Sequence, residues 1–201
     1  MAGLLANLRN TMIVSFVLAV IIVVGYLMHN GSADVIFWQA VFRWLHTVFG
    51  IMWIGLLYYF NFVQIRKMPE IPAELKPAVS KYIAPEALFW FRWSALLTVV
   101  MGLLIAWDRG YILSALTLGA TESFQAPGHT FIGLGMWLAL IMFFNVWHFI
   151  WPAQKIALGI KDGTAEQKAA AARKAMLFSR INTLLSVPML VTMTMTQTIF
   201  G

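Results

Sequence analysis

The sequence predicts an all-α integral membrane protein: a five-helix transmembrane bundle with its amino terminus in the cytoplasm and its carboxyl terminus outside. Hydrophobic residues make up 61% of the 201-residue chain and charged residues 11%, against about 25% charged in an average soluble domain. Five apolar runs are each long enough for a hydrocarbon core that takes roughly 20 residues of helix. The 14 Lys and Arg residues also sort by position. Arg66, Lys67, Lys76 and Lys81 fall in one loop, and Lys155, Lys161, Lys168, Arg173, Lys174 and Arg180 in or beside another, while 29–36 and 108–129 contain only Arg109. Under the positive-inside rule both basic loops are cytoplasmic. The net charge of +6 then reflects topology and contact with membrane lipid, with no role for nucleic acid.

The first span covers 11–28. Its apolar core exceeds the 7–15 residues usual in a signal peptide, and the HNGSAD that follows is a weak cleavage site, so it reads as a retained span. The second covers 37–65, FWQAVFRWLHTVFGIMWIGLLYYFNFVQI. At 100° per residue Gln39, Arg43, His46, Asn61 and Gln64 lie within about 60° of the His46 direction, joined by Gly50 and Trp53. Four prolines in 66–86 predict a structured hairpin on the membrane surface rather than a long helix, because each removes a backbone donor and fixes φ. The third span, 87–107, carries the small-residue stripe Ser94, Thr98 and Gly102, which suits close approach by another helix. Its Arg92 reads either as a snorkelling side chain or as a partner in an interior ion pair or anion contact.

The outer segment 108–129 holds a short apolar piece, Tyr111 to Leu118, expected to form an interfacial helix, and APGH restarts the chain. The fourth span covers 130–151. Thr164 and Gln167 fit a capping box, opening a helix expected to run into the fifth span, 176–200. There Asn182, Ser186, Met189 and Met193 share a face, and Pro188 is expected to kink the helix.

A histidine inside a bundle serves as haem ligand, proton relay or interhelical hydrogen-bond partner. Around His46, Arg43 lies one turn outward, where a haem propionate would sit, Gly50 leaves room for a flat ring, and Trp53 could stack on it. Candidates for a second polar contact or axial ligand are His129 and Met136. His148, toward the cytoplasmic side, reads as an interfacial residue beside Trp147 and Trp151. With no cysteine in the chain, disulfides, thiolate zinc, iron–sulfur clusters and c-type haem attachment are excluded. No phosphate-binding loop, nucleophile elbow or H-E-x-x-H appears, which leaves hydrolase mechanisms without support.

Three blocks, RWLHTVFGIMWIGLLYYFNFVQ at 43–64, PEALFWFRWSALLTVVMGLL at 85–104 and FNVWHFIWPAQK at 144–155, together resemble the membrane domain of the bacterial urate oxidases whose carboxyl-terminal part is a cytochrome c. More remotely, a His followed by W-x-G-L-x-Y is similar to the HemJ-type protoporphyrinogen oxidases and CopD-like membrane proteins. The resemblance implies a multi-pass oxidoreductase of the bacterial inner membrane, with haem b held by His46. It further implies electron transport from a purine-like substrate to the respiratory chain. Lacking C-x-x-C-H, this chain is expected to use a separate cytochrome c as electron acceptor. The rival expectation is a non-catalytic accessory subunit of a larger respiratory or photosynthetic complex, docked through the Ser94–Thr98–Gly102 stripe. A transporter is a weaker third, since no matching pair of broken helices is visible.

Overall fold

A computed structural model describes residues 2–200. Among these residues there is no β-strand, and five helices are long and apolar enough to cross a membrane. The chain divides into two compact units, Met1–Val41 and Phe42–Gly201.

In the first unit a short turn, Ala2–Leu5, precedes α1, Leu8–Asn30. The Asn7 side chain caps α1 by accepting from the Asn10 N–H, and Gly31 ends it in the left-handed region (φ 79°), where a side chain would be strained. Most α1 side chains whose exposure is described are exposed, and the rings of Tyr26 and Phe37 stack 6.2 Å apart. Asp34 starts the next helix by accepting from the Phe37 N–H at 2.9 Å.

That helix, α2, runs Val35–Glu70, and α3 runs Lys76–Asp108. Only 71–75 separates them, so the surface hairpin expected over 66–86 is instead helix on both sides of a tight turn. The prolines explain the difference by their positions. Pro77 occupies the first turn of α3, where a missing N–H breaks no bond, Pro69 lies in the 3-10 turn Met68–Glu70 that ends α2, and Pro85 lies inside α3. Pro85 follows a π-helical stretch, Val79–Ile83, whose closing bond runs from the Ala84 N–H to the Val79 carbonyl. The wider turn makes room for the ring. Pro152 repeats the device after Asn145–Ile150, where the Trp151 N–H bonds the Val146 carbonyl.

Beyond α3 the expected short helix is present as α4, Ile112–Leu116, followed by α5, Pro127–Ala157. The final helix, α6, runs Ala165–Ile199 without a break at Pro188. Its capping box is formed: Thr164 Oγ1 accepts from the Gln167 N–H at 3.2 Å, and Gln167 Oε1 from the Thr164 N–H at 2.9 Å.

The core of the second unit lies between α2, α3, α5 and α6, where Trp53, Leu57, Phe60, Phe91, Met142, Val146 and Met189 are buried together. A polar seam runs beside it on α6. Ser179 accepts from Asn61 Nδ2 at 2.8 Å, Asn182 Oδ1 from Asn145 Nδ2 at 2.8 Å, and Ser186 pairs with the Tyr58 hydroxyl at 3.0 Å. Helix packing without water favours such cross-helix bonds.

Candidate functional site

His46 Nδ1 lies 2.8 Å from the Thr98 carbonyl oxygen. A carbonyl can only accept, so Nδ1 carries the proton and the neutral ring keeps its lone pair on Nε2. Gly102, one turn along α3, makes this possible, because a Cβ there would stand 2.9 Å from His46 Cε1. The stripe Ser94, Thr98 and Gly102 thus receives α2 within the chain itself: Ser94 is 2% and Thr98 6% exposed.

The neighbours of His46 separate into three places. Gly50 has the Thr98 Cγ2 methyl 3.7 Å from where its own Cβ would be, so the room expected there is taken by α3. Trp53 is 1% exposed in the core, and its Nε1 is buried with no hydrogen-bond partner. The charges of Arg109 and Arg43 both reach Tyr111, just before α4. Burial raises the Tyr111 phenol above its ordinary value, and the two cations oppose that shift.

His129 also lies at Tyr111. Its ring stacks on Tyr111 at 5.4 Å, and its Nδ1 meets Glu122 Oε2 at 2.7 Å. No hydrogen bond joins it to His46. Met136 packs with Ala106, Ala115 and Ile132. The structure therefore brings Arg43 and His129 to Tyr111 and His46 to Thr98 and Gly102, with Met136 in apolar surroundings. His148 is exposed and stacks on Phe144 at 4.4 Å.

The Glu122–His129 pair fastens the loop between α4 and α5 to the start of α5, supported by Thr130 Oγ1 donating to the Leu118 carbonyl and Trp137 Nε1 to that of Leu116. Hydrogen bonds from His129 and then Ser114 hold the Glu122 carboxyl below its usual range. A depressed carboxyl contributes stability that is present above the ordinary range and lost as pH falls through its lower folded value. Thermal unfolding measured downward through about pH 5 to 3 should show the native chain losing its advantage over Glu122→Gln. Parallel curves would mean that the pair contributes nothing.

Among the described residues no group of three or more His, Asp or Glu side chains could hold a metal ion. A metal at His46 would have to bring most of its own ligands, as a porphyrin does. The groups that could hold such a ligand are His46, through the Nε2 lone pair left by its Nδ1 bond, and Arg43, as a cation for an anionic substituent. His129 bonds Glu122 through its Nδ1, and Met136 packs among apolar side chains.

Sequence reasoning placed Asn182 on a helix face without its partner Asn145, and it missed Glu122 and Tyr111 as partners of His129. Comparison with protein-family models, curated proteins and solved structures gives no match to this chain.

Proposed function

We propose that the chain is a multi-pass redox protein of a bacterial inner membrane in which His46 ligates a b-type haem. The observation that carries this is the hydrogen bond from His46 Nδ1 to the Thr98 carbonyl at 2.8 Å. Histidines that bind metal commonly donate their other ring N–H in this way, which fixes the tautomer and the ring orientation. Trp53 Nε1, on the same helix face, is a buried donor whose needs the protein's own atoms leave unmet.

The membrane reading is supported by the five long apolar helices and by the exposed apolar surface of α1. The distribution of Lys and Arg supports a cytoplasmic amino terminus. When bound, the haem supplies a one-electron couple between a reduced small substrate and a separate cytochrome. Arg43 attracts anionic oxygens at the outer end of the site, whether a propionate or a substrate group. Tyr111, where the Arg43 charge is felt, stacks on His129. A purine-like substrate follows from the resemblance of residues 43–64, 85–104 and 144–155 to the urate oxidase membrane domain.

Haem content per chain, measured by extraction after growth in haem-replete medium, tests the ligand. His46→Ala should lose the haem and His148→Ala should keep it. Equal content in the two variants would overturn the assignment.

A further inference from the structure

Arg92 has fifteen uncharged residues, 93–107, on its outward side and Glu86 six residues behind it. The uncharged run rises about 22 Å along a helix, which puts Arg92 near the inner edge of the apolar part of α3. A guanidinium there is costly unless something negative or aromatic meets it. The aromatic group is present: Arg92 Cζ lies 3.5 Å from the centroid of the Trp151 ring. Lys155, one turn beyond Trp151 on α5, brings its Nζ to 5.7 Å from the same ring.

Two cations therefore converge on one indole, each attracted by the ring face and repelled by the other. Among the described residues the ion pairs are Lys67 with Glu70 and His129 with Glu122, so neither Arg92 nor Lys155 has a carboxylate partner. Glu86 accepts from Trp90 Nε1 at 2.8 Å. Lys174 likewise rests over an aromatic ring, that of Phe149, at 5.3 Å. The missing element is an anion.

We propose that Arg92 and Lys155, arranged about Trp151, bind the phosphate of an anionic phospholipid in the inner leaflet. The planar fork of arginine matches two phosphate oxygens, and lysine adds a point charge. Tryptophan suits the headgroup level of a bilayer, and the exposed Trp90 and Trp93 flank Arg92 on α3. Two cations favour a headgroup with net negative charge over a zwitterionic one, whose amine offsets the phosphate. The proposal rests on the membrane-spanning reading.

The test uses the full chain in nanodiscs of phosphatidylcholine with and without phosphatidylglycerol, reading the thermal midpoint and the lipid retained in native mass spectrometry. Phosphatidylglycerol should raise the midpoint of the native chain by several degrees and remain bound, and R92Q/K155Q should lose more than half of that gain. Arg92→Lys, which keeps the charge and the fold, should lose part of it. Equal gains in the native chain and both variants would overturn the site. An equal gain from inorganic phosphate added to phosphatidylcholine discs would overturn the lipid as its source. Failure of the chain to enter nanodiscs, with release from cell membranes by alkaline washing, would instead overturn the membrane reading beneath it.

Discussion

Replacing Gly102 by alanine is expected to destabilise the protein by about 1–3 kcal/mol, the usual cost of forcing a methyl group into a filled contact. The new Cβ would stand 2.9 Å from Cε1 and 3.1 Å from Nδ1 of His46. The ring must move, and its hydrogen bond to the Thr98 carbonyl at 2.8 Å lengthens or breaks. A double-mutant cycle isolates the cause. In a His46→Ala background nothing stands where the methyl group goes, so Gly102→Ala should cost far less there, as read by thermal unfolding in detergent. An equal cost in both backgrounds would show that the close approach of α2 to α3 does not depend on this contact.

Asn182→Leu is expected to have an effect of similar size, about 1–3 kcal/mol for a buried polar group left without its partner. Asn182 is 0% exposed. Its Oδ1 accepts from Asn145 Nδ2 at 2.8 Å, and its Nδ2 donates to the Met142 carbonyl at 2.9 Å. The leucine variant strands the Asn145 amide in the core between α5 and α6. Changing both residues to leucine removes both polar groups, so the double variant should be less destabilised than the sum of the singles. Additive unfolding energies would mean that the two amides act independently.

The existence and order of the five long helices were legible because a long uninterrupted apolar run leaves few alternatives to a helix. Their ends were less so. Prolines in 66–86 read as breakers, yet Pro77 sits in the first turn of α3 and Pro85 follows a π-helical stretch that accommodates its ring. Such positions become visible only once the flanking helix boundaries are known. The Ser94–Thr98–Gly102 stripe was legible as a contact surface, but spacing along one helix cannot say which helix meets it. His46, ten residues before Leu56 on the neighbouring helix, turned out to fill the space beside Gly102.

His129 shows the opposite limit. Its partner Glu122 lies seven residues earlier, across a loop with positive φ at Leu118, Ser123 and Phe124. No helical or strand period connects two residues through such a turn. Arg92 could be placed from sequence near one end of its span, but its contact with the Trp151 ring could not. The convergence of Lys155 on the same ring depends on how α3 and α5 pack, which no local pattern encodes.

The most direct test of His46 as an iron ligand is the absorption spectrum of the detergent-purified protein, oxidised and then reduced with dithionite. The account predicts a Soret band and a reduced α-band typical of haem b in the native chain, both absent from a folded His46→Ala variant. A featureless spectrum from intact, haem-replete native protein would contradict it and leave His46 as a packing residue between α2 and α3.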